Sequence, residues 1–182
     1  YQSGKTTASK ADTIAHATKR VITEKMDEDP AFYQTFSKLI QQAIEDFRAK
    51  RISDLDYLKK VTEIRDKVVG NVHDDVPEKI ADNQDAMAYY GVLKPFLEHH
   101  GLNENQLESM TADTALAIQS IFDKTIKVNF WNDPDAQKQT ENEIDDYLFD
   151  QLKHARGIEL SPDEMDAILK NVFQVAEHRN QT

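Results

Sequence analysis

Apolar side chains recur at helical spacing through most of the chain, and start and stop signals divide this pattern into separate helices. The strongest stripe lies within residues 30–50 and predicts one wide buried face, made of Phe32, Phe36, Leu39, Ile40, Ala43, Ile44 and Phe47. Weaker stripes predict further helices at about 10–28, 53–69, 83–100, 112–127, 134–154 and 162–178. The pattern therefore predicts an all-α fold, a helical bundle of about six or seven helices.

Several helix ends carry recognisable signals. Side chains that can accept a hydrogen bond from the first turn predict starts at Ser9, Asp29, Ser53, Thr111 and Ser161. The third helix is predicted to bury Leu55, Leu58, Val61, Ile64 and Val68. Gly70 fits the stop of that helix, and Pro95 is expected to kink or split the fourth. The three-residue link 51–53 predicts that the second and third helices pack antiparallel.

Two segments interrupt the helical pattern. Residues 1–8 are interpreted as a flexible tail or a cloning remnant, and residues 70–82 as a connector. The remaining chain, residues 9–182, is long enough to form one domain with a sizeable core. Within it, residues 9–69 give a strong three-helix signal and residues 83–178 a less regular second helical half.

Charge narrows the range of partners. Residues 1–70 carry 13 basic and 11 acidic side chains, a net of +2, whereas residues 71–182 carry 9 and 22, a net of −13. An acidic surface repels phosphate, so we expect no direct binding of duplex DNA. The chain has no cysteine, which excludes disulfides and thiolate chemistry. No apolar run approaches the roughly 20 residues of a membrane span, so no membrane association and a cytoplasmic location are expected.

The candidates for catalysis or ligand binding each have a plainer interpretation. Gly4-Lys5-Thr6-Thr7 resembles the end of a phosphate-binding loop, but the strand and the first glycine of such a loop are not seen. The six histidines include no pair at the i, i+4 spacing of a helical metal site. Asp146 and Asp150, four apart on one helix, could act as acid and base if buried, but carboxylates are usually exposed. We therefore predict no catalytic residue, no cofactor and no metal site.

Adjacent aromatic residues are the best candidates for recognition. Two neighbours on a helix or turn are not expected to point inward together, so one ring of each pair should lie near the surface. Aromatic side chains are enriched at interface hot spots, although a single exposed ring is also ordinary. The predicted partner-interface residues are Tyr89, Tyr90, Phe130, Trp131, Asp146 and Asp150.

Residues 9–69 resemble the start of a known domain. The stretches DEDPAFYQTFSKLI and RISDLDYLKKV are similar to the C-terminal helical domain of the motor (R) subunit of type I restriction endonucleases. The remainder, including NFWNDPDAQKQTENEIDDYLFDQL, fits only loosely. The resemblance implies an assembly domain that docks the motor onto the methyltransferase subunit of the complex. It also implies contact with the helicase-like domains of the same parent chain.

The same resemblance implies that this chain by itself is not an enzyme. The nuclease carboxylates and lysine of the family, and its ATPase motifs, have no counterpart here. ATP and magnesium are expected for the parent subunit, an ATP-dependent type I site-specific deoxyribonuclease, but not for this chain. Two alternatives stay open: a domain with its own nucleotide or metal site, built on Lys5 or the acidic helices, or an intramolecular scaffold that positions the helicase-like domains.

Overall fold

The computed structural model describes residues 6–180, and within this range the chain is helical without any β-strand. The helices are α1 (Thr7–Lys25), α2 (Pro30–Arg48), α3 (Asp54–Gly70), α4 (Gln84–Leu97), α5 (Glu104–Thr125), α6 (Pro134–Tyr147) and α7 (Pro162–Asn180). A π-helical segment, Leu148–His154, follows α6. The predicted all-α class is confirmed. Every helix in the described range is too short or too polar to cross a lipid bilayer.

The chain forms two compact units. They are Tyr1–Met26 with Pro30–Asp74, containing α1 to α3, and Asp27–Asp29 with Asp75–Thr182, containing α4 to α7. The main boundary lies inside the predicted connector of residues 70–82. The predicted tail of residues 1–8 was too long, because Thr7 and Ala8 belong to α1. Lys5, the candidate phosphate-binding residue, lies outside the described residues.

The first unit is a bundle in which α1, α2 and α3 all pack against one another. Near the end of α2, Phe47 stacks on Tyr57 at the start of α3, with ring centroids 4.3 Å apart. At the other end, Phe32 stacks on His73, just beyond α3, also at 4.3 Å. The two helices are therefore antiparallel, as predicted. The core consists of Ala11, Ala15, Ile22, Phe32, Tyr33, Phe36, Ile40, Ala43, Ile44, Tyr57, Val61 and Val68.

α3 packs on this core with most of the predicted face, since Val61 and Val68 are buried and Leu58 and Ile64 lie against them, but the first turn of the helix differs. Leu55, expected inside, is 70% exposed, whereas Tyr57 is fully buried. The buried stripe continues through Val61 and Val68. The burial of Tyr57 leaves its hydroxyl satisfied, because this group donates a hydrogen bond of 2.9 Å to the carboxylate of Asp12 on α1.

The helix ends of the first unit follow the predicted chemistry at shifted positions. Thr6 rather than Ser9 caps α1, with its hydroxyl accepting the Ser9 backbone N–H at 3.1 Å. Ser53 caps α3 as predicted, again accepting a backbone N–H at 3.1 Å. α3 stops because Asn71, not Gly70, takes a left-handed conformation with φ 51°. Asparagine is one of the few residues other than glycine that adopts this conformation readily.

In the second unit, α4 packs against both α5 and α7, and α6 packs against the same two helices. The large side chains that are almost fully enclosed here are Ile80, Leu93, Leu97, Ile118, Phe122, Ile144, Leu148, Leu152 and Ile168. Pro95 does not split α4, because it lies in the last turn of the helix.

α5 begins at Glu104, earlier than the predicted start near residue 112. Asn103 and Gln106 form a capping box, each side chain accepting the backbone N–H of the other at 2.8 and 3.2 Å. Thr111, the predicted cap, is instead fully buried inside the helix. Its hydroxyl donates to the carbonyl of Leu107 at 2.6 Å, which satisfies the buried oxygen.

The connection between α6 and α7 departs from regular helix. Residues 148–154, predicted to continue α6, form the π-helical segment. Such segments are rare and frequently occur at functional sites. Gly157, the predicted stop, ends the helical run with φ 71°. Ser161 then caps α7 as predicted, accepting the Glu164 N–H at 3.1 Å.

Candidate functional site

Tyr89 and Tyr90, the first predicted aromatic pair, are both buried, with 2% and 3% of their surface exposed. The prediction that one ring of each pair lies near the surface is wrong here, because both α5 and α7 cover α4. Tyr89 stacks on Phe122 of α5 at 5.6 Å. The Tyr90 hydroxyl is buried without a hydrogen-bond partner, and burial raises the pKa of Tyr90 to about 12.

Phe130 and Trp131, the second pair, lie in a 3₁₀ turn before α6. Phe130 is buried, and Trp131 is half-buried against the core of the second unit. The indole ring meets Phe130 edge to face at 4.8 Å and Phe173 of α7 at 6.4 Å. Its N–H group is buried without a hydrogen-bond partner. Trp131 therefore has the contacts of a side chain at the edge of a core. Its use as a partner anchor stays a prediction.

Asp146 and Asp150 are both exposed to solvent. Asp146 lies near the end of α6, and Asp150 lies in the π-helical segment. Neither lines the cleft described next, whereas their sequence neighbours Asp145 and Phe149 do. The use of Asp146 and Asp150 as partner contacts therefore stays a prediction, and the cleft described next is an alternative to it.

An open cleft of about 410 Å³ lies beside the π-helical segment and the start of α7. We call it the acidic cleft; it is lined by Asp145, Leu148, Phe149, Lys153, Glu159, Leu160, Pro162, Met165 and Asp166. Three of these side chains carry carboxylates and one carries an ammonium group. The cleft therefore combines apolar walls with an excess of negative charge.

Asp145 is the most unusual group in the acidic cleft. One of its carboxylate oxygens, Oδ1, is buried and has no hydrogen-bond partner. Burial, together with the negative charge of nearby Asp166, raises the pKa of Asp145 above its ordinary value. A buried acceptor without a partner costs free energy, and this cost adds to the repulsion between the two carboxylates.

Phe149 is the exposed aromatic of the acidic cleft, with 45% of its surface accessible. The ammonium group of Lys153 lies 4.9 Å from the centre of its ring, and the same group pairs with Glu159 at 3.1 Å. The ring of His154 meets Phe149 edge to face at 5.0 Å. The chain thus already holds one cation against this ring.

The acidic cleft was not predicted, although one signal for it was present in the sequence. Ile144, Leu148 and Leu152 form the buried stripe of this part of the chain. Asp145, Phe149 and Lys153 repeat the same spacing one position later, so they form a flanking stripe of acid, aromatic and base. No local pattern indicates that Glu159, Met165 and Asp166 complete the cleft, because that depends on how the start of α7 and the residues before it pack.

A second acidic group shows the contrasting case. Asp113 on α5 accepts a hydrogen bond from Lys79 at 2.8 Å and another from Arg156 at 3.0 Å. Partial burial of Asp113 opposes its ionisation, but these two cations outweigh burial and lower its pKa. Asp113 is therefore a paired structural carboxylate, whereas Asp145 is an unpaired one.

The arrangement of the acidic cleft suits binding of a cationic group. No group of three or more His, Cys, Asp or Glu side chains within residues 6–180 is placed to hold a metal ion. Carboxylates beside an exposed ring can instead pair with a positive charge and cover its apolar stem. Comparison of the chain with protein-family models, curated proteins and solved structures found no match.

Proposed function

We propose that this chain is a non-catalytic helical assembly domain of the R subunit of a type I restriction-modification complex, where it docks the motor onto the methyltransferase core. The acidic cleft carries this proposal, because it offers a partner an unpaired carboxylate and an exposed ring. The resemblance of residues 9–69 to the C-terminal domain of that subunit supplies the identity of the complex.

Electrostatics favours a protein partner over DNA. Residues 71–182 carry a net charge of −13, which repels phosphate and attracts a basic protein surface. Charge complementarity of this kind mainly raises the association rate and fixes orientation. Affinity then depends on a few buried contacts, for which an aromatic side chain is the usual anchor. An acidic docking domain would also stay off the DNA that the motor pumps past it in the cytoplasm.

Assembly with the cognate methyltransferase core tests this role. The full chain should be retained by that core in a pull-down, and deleting the domain from the parent subunit should prevent the motor from joining the core. Intact assembly after the deletion would contradict docking. Positioning of the helicase-like domains within the parent subunit would then be the better explanation.

Calorimetry with ATP and magnesium separates this role from an autonomous nucleotide or metal site. We expect no saturable heat from the isolated chain. Saturable binding at micromolar concentration, abolished by Lys5→Ala or Asp146→Asn, would favour the rival function. Steeply salt-dependent binding to duplex DNA would indicate instead a freestanding DNA-binding module.

A further inference from the structure

We infer that the acidic cleft receives an arginine side chain from a partner protein. The guanidinium group would pair with Asp145 and Asp166, and its flat face would lie on Phe149. The inference rests on the proposed function in one respect, that the ligand belongs to a protein of the assembly. The chemistry of the cleft identifies the type of side chain.

The need for an external donor follows from the charges within the acidic cleft. Lys153 is the one basic residue of the lining, and it is already paired with Glu159. The buried oxygen of Asp145 has no partner, and Asp166 adds a second negative charge close to it. A cation that enters the cleft would relieve this repulsion by pairing with the two aspartates that line it.

The ring of Phe149 favours arginine over lysine. Lys153 shows that the ring attracts a cation, with the ammonium group 4.9 Å from its centre. A guanidinium group is planar, carries five N–H donors and is more weakly hydrated than an ammonium group. It can therefore stack on the ring and donate to carboxylates simultaneously, which a compact ammonium group does less well.

The walls of the acidic cleft fit the rest of such a side chain. Leu148, Leu160 and Met165 contribute apolar surface, against which the methylene stem of an arginine can pack. At about 410 Å³ the open cleft has room for a long side chain and its immediate neighbours. Within the π-helical segment Leu148 is buried, while the adjacent Phe149 is 45% exposed.

Two short capped peptides provide the probe, one of alternating arginine and glycine and the other of alternating lysine and glycine. Each is titrated into the isotope-labelled full chain and followed by NMR. Shift changes should centre on the backbone amides of Asp145, Phe149, Lys153 and Asp166. The arginine peptide should bind at least about threefold more tightly than the lysine peptide, as expected for a cation that also stacks on an aromatic ring.

Matched charge variants separate the acidic cleft from the general acidity of the unit. The double variant Asp145→Asn with Asp166→Asn should weaken arginine-peptide binding about tenfold. The control, Asp146→Asn with Asp150→Asn, makes the same change of charge at exposed neighbours outside the cleft and should change affinity less than about twofold. Phe149→Leu keeps an apolar side chain but should abolish the preference for arginine over lysine.

Results that differ from these expectations would overturn the inference. Equal weakening by the two double variants would mean that the peptide binds acidic surface without selecting the cleft. An unchanged arginine preference in Phe149→Leu would exclude stacking, and this variant decides the question if the cleft double variant fails to fold. These outcomes can be distinguished from a failure of the proposed function. If the cleft selects arginine but the chain does not bind the methyltransferase core, only the proposed function is refuted. If the core binds and the cleft variants leave that binding unchanged, only the inference about the cleft is refuted.

Discussion

The two units of the chain bury comparable helical cores but differ in how they satisfy buried polar groups. In the first unit, the Tyr57 hydroxyl donates to Asp12 at 2.9 Å, and no buried side-chain polar atom among its described residues lacks a partner. In the second unit, the Tyr90 hydroxyl, the Trp131 indole N–H and Asp145 Oδ1 are buried without one. Such groups cost stability, so the second unit contains buried polar atoms that its own fold leaves unsatisfied.

Charge divides the chain along nearly the same line. Residues 1–70 are close to neutral at +2, whereas residues 71–182 carry −13. The first unit is therefore nearly neutral, whereas the second carries the uncompensated charge and the acidic cleft. For this reason we propose that docking takes place through the second unit.

The largest effect is expected in the core of the first unit. Phe36 is 6% exposed on α2, so Phe36→Ala should lower the free energy of unfolding by about 3–5 kcal/mol through lost burial and the cavity left behind. Leu39, on the same helix but 47% exposed contrary to prediction, is the control: Leu39→Ala should cost less than about 1 kcal/mol. Urea unfolding followed by circular dichroism measures both. Similar values for the two variants would mean that the buried face of α2 is misassigned.

Trp131 tests whether the unpaired groups of the second unit belong to the fold or to a partner. Because its ring packs against Phe173 and the core, Trp131→Ala should destabilise the unit by about 2–4 kcal/mol. Thermal unfolding gives the change, and a pull-down of the methyltransferase core gives the effect on assembly. Weaker assembly with unchanged stability would show instead that Trp131 is a partner anchor.

The two buried tyrosine hydroxyls provide a direct contrast between the units. Tyr57→Phe removes a hydrogen bond to Asp12 and should cost about 1 kcal/mol. Tyr90→Phe removes a hydroxyl that has no partner and should be neutral or slightly stabilising. Chemical denaturation of the two variants under identical conditions decides the matter. A larger loss for Tyr90→Phe would mean that its hydroxyl is satisfied in solution and that the contrast is invalid.

The smallest effects concern Asp113 and Asp145. Replacement by asparagine should change the free energy of unfolding in opposite directions at these two positions. At neutral pH, Asp113→Asn should lower stability by up to about 1 kcal/mol, because it weakens the pairing of Lys79 and Arg156 at a partly exposed site. Asp145→Asn should be neutral or raise stability by less than about 1 kcal/mol, because it removes an unpaired charge. Thermal midpoints at several pH values provide the measurement.

The dependence on pH follows from the direction of each pKa shift. The pKa of Asp113 is lowered, so its contribution is present above the ordinary aspartate pKa and is lost as the pH falls through the lowered value. The pKa of Asp145 is raised, so its penalty develops as the pH rises from the ordinary value through the raised one. Both substitutions should therefore lose their effect in acid. An Asp145→Asn effect that persists there would show that it does not arise from ionisation.

Local chemistry made much of the fold predictable. The stripe of α2, the cap at Ser53 and the stop at Gly157 follow from side-chain spacing and backbone preference. In α3 the prediction placed Leu55 inside and did not include Tyr57, because only tertiary packing brings Asp12 to the tyrosine hydroxyl. These errors arise where a contact distant in sequence decides the outcome.

The candidate site was less accessible to prediction for the same reason. Adjacent rings at Tyr89 and Tyr90 can both be buried when two helices cover a third, which no local pattern reveals. The buried oxygen of Asp145 has no partner because the start of α7, which lines the same cleft, does not bring a hydrogen-bond donor to it. Sequence could indicate the acidic stretch around residues 141–150, but it could not select Asp145 over Asp146.

The most direct test of the central claim is the affinity of the full chain for the cognate methyltransferase core. Titration calorimetry would compare the wild type, the cleft variant Asp145→Asn/Asp166→Asn and the matched control Asp146→Asn/Asp150→Asn. We predict that the control binds within about twofold of the wild type, while the cleft variant binds about tenfold or more weakly. Failure of the wild type to bind, or equal losses in the two variants, would contradict docking through the acidic cleft.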